Sequence, residues 1–209
     1  MITRGLLIRL DARPEMGDDV EKFLVAGASL VRAESGTMAW FAVKFGRLDY
    51  GIVGAFVDEV DRDAHLKGKL AKALQARTGE LFERPPEIEA VEVISSKLPV
   101  TPPLDPIRKG LVLRLQPKSG HAREMEEFIR EGRVRVQEEK GTIAWLGLRL
   151  ADGTFGVVDF FPDNAARLAH LAGQVPLELA RHALPQVGGP ADLEMLDVIA
   201  ERIVVPVPV

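Results

Sequence analysis

Shifted by 105 positions, the chain aligns with itself without a gap. Gly5-Leu-Leu-Ile-Arg-Leu10 meets Gly110-Leu-Val-Leu-Arg-Leu115. Glu34-Ser-Gly-Thr-Met-Ala-Trp40 meets Glu139-Lys-Gly-Thr-Ile-Ala-Trp145, and Arg62-Asp-Ala-His-Leu-Lys-Gly68 meets Arg167-Leu-Ala-His-Leu-Ala-Gly173. Of the 93 pairs between residues 5–97 and 110–202, 27 are identical, too many for a gapless match by chance. Only two copies occur, and the period far exceeds that of solenoid repeats. The reading is a tandem duplication, a dimer fused into one chain with a pseudo-two-fold axis. Its units are residues 1–98 and 107–203. Between them, Leu98 to Pro106 holds four prolines in nine residues, a semi-rigid extended spacer. The tail from Val204 to Val209 alternates Val and Pro and could lie along an edge.

Within one copy, residues 5–11 read as a strand. Asp18 to Ala33 reads as a helix, because Val20, Phe23, Leu24, Gly27, Leu30 and Val31 make one apolar stripe. Residues 37–45 and 50–57 read as strands around a Gly46–Asp49 hairpin turn. Asp58 is placed to cap a second helix carrying Leu66, Leu70, Leu74 and Leu81. Pro85-Pro86 stops it, and Ile88 to Lys97 is the last strand. The second copy repeats this order, with Gly153 in its hairpin and Asp163 at its cap. The order is βαββαβ, the ferredoxin-like motif. Such a sheet carries both helices on one face and leaves the other bare. The fold class expected is α+β: two tandem ferredoxin-like units that form an intramolecular dimeric α/β barrel.

Composition excludes several chemistries. The net charge of −4 offers no attraction to nucleic acid or anionic membrane. Cysteine is absent, so no disulfide, thiolate nucleophile or Cys-ligated metal can form. No apolar run approaches the ~20 residues of a membrane span, and the expected compartment is the cytoplasm. GxGxxG, Walker A, G-x-S-x-G and H-E-x-x-H are all missing. The copies share one histidine position, His65 and His170, and this gives no recognisable metal cluster. No metal and no cofactor are expected.

The candidates for function are residues that the two copies share, plus one that they do not. On the second strand, Ala39, Phe41, Val43 and Phe45 match Ala144, Leu146, Leu148 and Leu150. This uniformly apolar set is expected on the helix-packed side. The alternate set includes Trp40 and Trp145, each beside a very small residue (Ala42, Gly147). It is expected to face the barrel interior, as a cavity wall or as core anchors. His65 and His170 begin the second helices, with Gly68 and Gly173 three residues on, inside the helix. These read as ligand-facing or as surface histidines. Asp159 stands inside the apolar strand Phe155-Gly-Val-Val-Asp-Phe-Phe161, where a carboxylate needs a partner or a raised pKa. Its counterpart is Gly54. Arg9 and Arg114, on the first strands, are its candidate partners.

The run Phe155 to Asp163 followed by Ala169-His-Leu171 resembles the antibiotic biosynthesis monooxygenase superfamily. So do Phe56, Asp58, Ala64-His-Leu66 and the Leu81…Pro85-Pro86-Glu-Ile88 segment. The resemblance covers nearly the whole chain through short motifs. It implies a dimeric α/β barrel, with the family's acid falling on Asp159 and its helix histidine on His65 and His170. The haem-degrading branch is disfavoured, because the first strand offers Leu7, Ile8 and Arg9 where that branch has Asn. The enzyme this implies is a cofactor-independent monooxygenase of a small phenol or quinol. Its catalytic residues would be Asp159, His170, Trp145 and Arg114, and its ligand-binding residues Trp40, His65, Arg9, Gly68 and Gly173. The alternative is a non-catalytic barrel that binds a small ligand or only packs and assembles. The partner expected is a small hydrophobic or aromatic molecule, with no nucleic acid and no membrane. The fused barrel could also pair with a second copy. If one copy is competent, it is the second.

Overall fold

The computed structural model describes residues 1–205. In chain order they form β1 (Arg4–Asp11), α1 (Gly17–Val31), β2 (Thr37–Lys44), β3 (Asp49–Phe56), α2 (Glu59–Leu66), α3 (Lys69–Leu81) and β4 (Glu87–Lys97). Then follow β5 (Lys109–Leu115), α4 (Ala122–Glu138), β6 (Ala144–Arg149), β7 (Phe155–Phe161), α5 (Asn164–Leu171), α6 (Gln174–Glu178) and β8 (Asp192–Ile203). The βαββαβ order read from the sequence is present in both halves. The eight strands share one hydrogen-bonded order, β1-β3-β2-β8-β5-β7-β6-β4, and it closes on itself as an antiparallel barrel.

The chain gathers into two compact units, Met1–Val91 with Asp197–Val204, and Glu92–Leu196. In the first, β3 lies between β1 and β2, with Leu6 and Trp40 both opposite Gly54. The end of β8 joins β2, Phe41 facing Glu201. In the second, β7 lies between β5 and β6, with Leu111 and Trp145 both opposite Asp159. The end of β4 joins β6, Lys97 facing Trp145. Each unit therefore takes the last stretch of its final strand from the other half of the sequence. A register shift falls within each exchanged stretch, between Val93 and Ser95 of β4 and opposite Ala42 and Val43 of β2.

Local signals for turns and caps hold well. Asp58 and Asp163 adopt extended backbone and accept from the amides of Asp61 and Ala166 at 3.0 and 2.8 Å, each satisfying a helix N-terminal donor. Gly153 turns its hairpin at φ +85°. The second helices differ from expectation. Each breaks at its glycine: Gly68 and Gly173 are extended N-caps, of α3 and α6, and lie outside helix interiors. Val204 donates to the Met38 carbonyl at 2.8 Å; the expectation for the rest of the tail falls on 206–209, outside the described residues.

The two faces of the second strand are the reverse of the expected arrangement. Trp40 and Ala42 pack with Val20, Leu24, Val31 and Leu70 of the helices. Trp145 packs with Met125, Ile129 and Val136 of α4. The small neighbours exist to let the helix approach: a Cβ on Gly147 would overlap Ile129 and come 2.9 Å from the Trp145 ring. The other face, Phe41 and Val43, is as completely buried. With both faces buried, polarity does not alternate along the strand and gives no sign of which face is which.

Candidate functional site

In the second unit the chain order brings three ionisable groups into a row. α4 ends at Glu138, so Glu139 emerges at the helix C-terminus; α5 carries His170; β7 carries Asp159. The Glu139 carboxylate meets His170 Nδ1 at 2.6 Å and accepts from the Thr142 hydroxyl at 2.8 Å. On the other side of the ring, His170 Nε2 lies 3.8 Å from Asp159 Oδ1. That oxygen is buried and accepts no hydrogen bond among the described residues. The Phe161 ring lies 5.2 Å from the imidazole, centroid to centroid.

Burial sets the protonation of this row. It pushes the Asp159 carboxyl up to about 6, with the Glu139 charge adding and the His170 charge opposing. Burial works against a charged His170, but the hydrogen bond to Glu139 and the charges of Asp159 and Glu139 outweigh it and hold the imidazole above its ordinary value. Burial also opposes charge on Glu139. The His170 and Thr142 hydrogen bonds, with the charges of His170 and Lys97, overcome it and keep that carboxyl low. The row therefore has an anchored anion at one end and a near-neutral acid at the other, the divergence that separates acid and base roles.

Two cavities meet at His170. On the Asp159 side is an apolar one of about 130 Å³, walled by Leu111, Leu113, Ile129, Trp145 and Val157. On the Glu139 side is a polar recess of about 560 Å³ that also touches Arg135, Thr142 and Gln174.

The first unit repeats half of this. His65 Nδ1 meets Glu34 at 2.6 Å, and Thr37 donates to the same carboxylate at 2.8 Å. Phe56 lies 5.1 Å from the His65 ring. Burial opposes charge on Glu34, but the His65 and Thr37 hydrogen bonds and the charges of His65 and Arg202 outweigh it and lower its pKa. No acid stands where Asp159 does. The position is Gly54, and a Cβ there would come 2.8 Å from the Phe56 ring. The cavity beside His65 is about 460 Å³.

Of the sequence candidates, Asp159, His170 and Trp145 share one cavity wall, and His65 lines the other cavity. Arg114 and Arg9 do not pair with Asp159. Leu111 is opposite Asp159, so Arg114, three residues on, points to the other face of the sheet; its charge acts on Asp152 at the hairpin. Arg9 is bound to Asp49 at 2.6 Å and lies 3.6 Å over the Phe45 ring. Trp40 packs in the core. Gly68 and Gly173 lie against the glutamates: a Cβ would come 2.7 Å from Glu34 Oε1 and 3.5 Å from Glu139 Oε1, and Gly173 also lines the polar recess.

Glu34 and Glu139 are the residues that sequence reasoning missed. They stand in the aligned Glu-x-Gly-Thr of both copies, so the repeat itself carried the signal. Lys97 and Arg202 are a second missed pair, 105 positions apart. Lys97 donates to the Val136 and Glu139 carbonyls at 2.7 and 2.8 Å, closing the end of α4. Arg202 donates to the Thr37 carbonyl. Among the described residues no group of three His, Asp or Glu side chains is arranged to hold a metal, and no helix is long and apolar enough to cross a membrane.

No family profile and no curated protein matches the chain. Solved structures do. A proposed monooxygenase of Fusobacterium nucleatum superposes with a TM-score of 0.85 at 14% identity, covering 97% of this chain and 94% of that one. A proposed monooxygenase of Lactobacillus acidophilus NCFM gives 0.80 at 12% identity and 97% coverage of both chains. An uncharacterised ferredoxin-fold protein of Listeria monocytogenes, described as related to antibiotic biosynthesis monooxygenases, gives 0.57 at 7% identity and 95% coverage of both. At these identities the likeness is one of fold.

Proposed function

From the premise that the chain has the ferredoxin-like α/β-barrel fold of proteins related to antibiotic biosynthesis monooxygenases, we propose that its second unit is a monooxygenase site for a single-ring phenol or quinol. The observation that carries this is Asp159: a carboxyl with an unused oxygen, in the wall of an apolar cavity, beside His170. A cavity near 130 Å³ is of the size that holds benzene in an engineered protein core. The substrate is therefore small.

The chemistry follows from the wall. A phenolic ring lies against Trp145 and the aliphatic side chains, with its hydroxyl toward Asp159 and His170. Removing that proton makes an electron-rich phenolate in an apolar surrounding that excludes water. The phenolate reduces O2 itself. One oxygen atom ends in the ring; the other leaves as water with the two hydrogens the substrate gives up. An acid pushed up to about 6 exchanges protons in both directions near neutrality. His170, bordering both the cavity and the polar recess, connects that acid through Glu139 to water. Glu139 positions the imidazole and fixes the proton on Nδ1. The cytoplasm suits such a substrate, and its proposed partner is the small aromatic molecule alone.

Oxygen uptake with a panel of hydroquinones and catechols tests the reading. The wild type is expected to consume O2 and form a hydroxylated quinone and water, and Asp159→Asn to lose ~10²–10⁴-fold of it. A wild type silent on the whole panel, yet binding these compounds beside Trp145, would replace the enzyme with a ligand-binding barrel.

A further inference from the structure

We infer that the first unit holds a separate, binding-only site for a larger apolar molecule that carries a hydroxyl group, with His65 as its hydrogen-bond acceptor. The site stands on its own geometry and does not depend on turnover in the second unit.

Size separates the two cavities. About 460 Å³ beside His65 lies within the ~300–1,000 Å³ of ordinary small-molecule pockets. The cavity beside His170, about 130 Å³, does not. The cause is visible in the helices. α3 runs unbroken for 13 residues from Lys69 to Leu81. Its counterpart is α-helical only over the five residues of α6 and continues as a π turn, Leu179–Ala183, and a 3-10 turn, Leu184–Gln186, so that Val175, Pro176 and Leu179 line the smaller cavity.

The lining fixes the ligand's character. Ile8, Ile52, Leu70 and Leu74 form a buried apolar floor. The rim is apolar on one side, where Ile88 is 52% exposed. Gln75 and Thr78 make it polar on the other. His65 is the one ionisable side chain in the lining. Its Nδ1 meets the Glu34 carboxylate and so carries the donated proton, which in the neutral tautomer leaves Nε2 as the lone pair. A lone pair at the base of an apolar pocket selects a hydroxyl donor. Nothing beyond binding follows, because Gly54 supplies no carboxyl and the Phe56 ring occupies the space a Cβ there would need.

The test uses the full-length protein and 2-naphthol, with 2-methoxynaphthalene as the partner that lacks the donor. In ¹H–¹⁵N NMR titrations, 2-naphthol is expected to shift the amides of Leu70, Gln75 and Thr78, and to leave the Trp145 indole N–H unmoved. The methyl ether should bind about three- to tenfold more weakly, the effect of one neutral hydrogen bond. Thr78→Trp, which fills the pocket from its rim, should weaken 2-naphthol by more than about tenfold, while Asp159→Asn leaves it unchanged. Shifts confined to Trp145 and its neighbours, equal affinity for the two probes, or no binding would each overturn the inference. Should Thr78→Trp fail to fold, the wild-type shifts and the probe comparison still decide.

Discussion

His65 and His170 occupy the same place in their units, hold the same carboxylate at the same 2.6 Å and touch the same phenylalanine. What differs is the far side of the ring. His170 faces a buried acid in a small cavity; His65 faces open apolar space. Glycine at position 54 in place of an acid (Asp159) removes the proton acceptor, and a regular α-helix (α3) in place of one that passes into π and 3-10 turns accompanies the wider cavity. An imidazole held by a glutamate is thus a shared part, and its surroundings assign it to chemistry or to binding.

The sharpest way to break this contrast is turnover. His170→Ala is expected to cost ~10²–10⁴-fold in oxygen uptake on the active quinol, and His65→Ala less than about twofold. Steady-state rates for both variants, each shown folded by circular dichroism, make the comparison. Equal losses would mean that the two units work alike.

Stability against pH is the next test. Asp159 is easier to protonate folded than unfolded, moving from 3.8 to about 6. Its contribution to stability is therefore full below about pH 4 and is lost as pH rises through about 6. The difference of about two units corresponds to about 3 kcal/mol above pH 7. Asp159→Asn cannot ionise, so it should be more stable than the wild type at pH 8 by up to that amount. The gap should close toward pH 4. His170, also held high, adds wild-type stability lost in the same direction as pH rises, so the gap should be read in the His170→Ala background too. Urea melts at pH 4, 6 and 8 measure it. Gly54 has no group to titrate, so Gly54→Ala should change stability by the same amount at each pH.

The same contrast explains what the sequence could disclose. The repeat, the hairpin glycine and both aspartate caps were legible, because each depends on residues close in sequence or on identity between copies. Asp159 stood out because an acid in an apolar strand must be accounted for. The strand faces were not legible, since burial on both sides erased the alternation that distinguishes them. The glutamates were overlooked because Glu after a helix usually reads as solvated. Only the fold brings Glu139, 31 residues from His170, against the ring. The helix break at Gly68 and Gly173 hid behind a leucine spacing that continues across it.

Core packing offers a smaller test on the helix side of each sheet. Ala42 and Gly147 are equivalent, beside Trp40 and Trp145. Gly147→Ala puts a methyl group into Ile129 and the Trp145 ring, an overpacking that costs about 1–3 kcal/mol. Ala42→Gly removes a methyl group where it is accommodated and should cost about 1 kcal/mol. Thermal melts of the two single variants rank them. A harmless Gly147→Ala would mean that α4 moves freely away from its sheet, and that the 130 Å³ cavity can grow.

The smallest expected difference lies at the two caps. Asp58 and Asp163 each satisfy one amide, and replacing either by alanine costs about 1 kcal/mol. Their helices are not equal, however. The first turn of α2 also carries Glu59 and Asp61, whereas that of α5 carries no acidic residue. Negative charge near a helix N-terminus contributes about 0.3–1 kcal/mol. Asp58→Ala therefore leaves two anions beside the exposed amides, and Asp163→Ala leaves none. The second substitution should be worse by a few tenths of a kcal/mol, and more so at low ionic strength, where the helix dipole is least screened. Because α5 delivers His170 to Asp159, Asp163→Ala should also lower turnover modestly, and Asp58→Ala should not. Chemical denaturation at 20 mM and 500 mM salt would resolve the pair. Equal losses at both salt concentrations would show that hydrogen bonding alone, without charge, sets the strength of these caps.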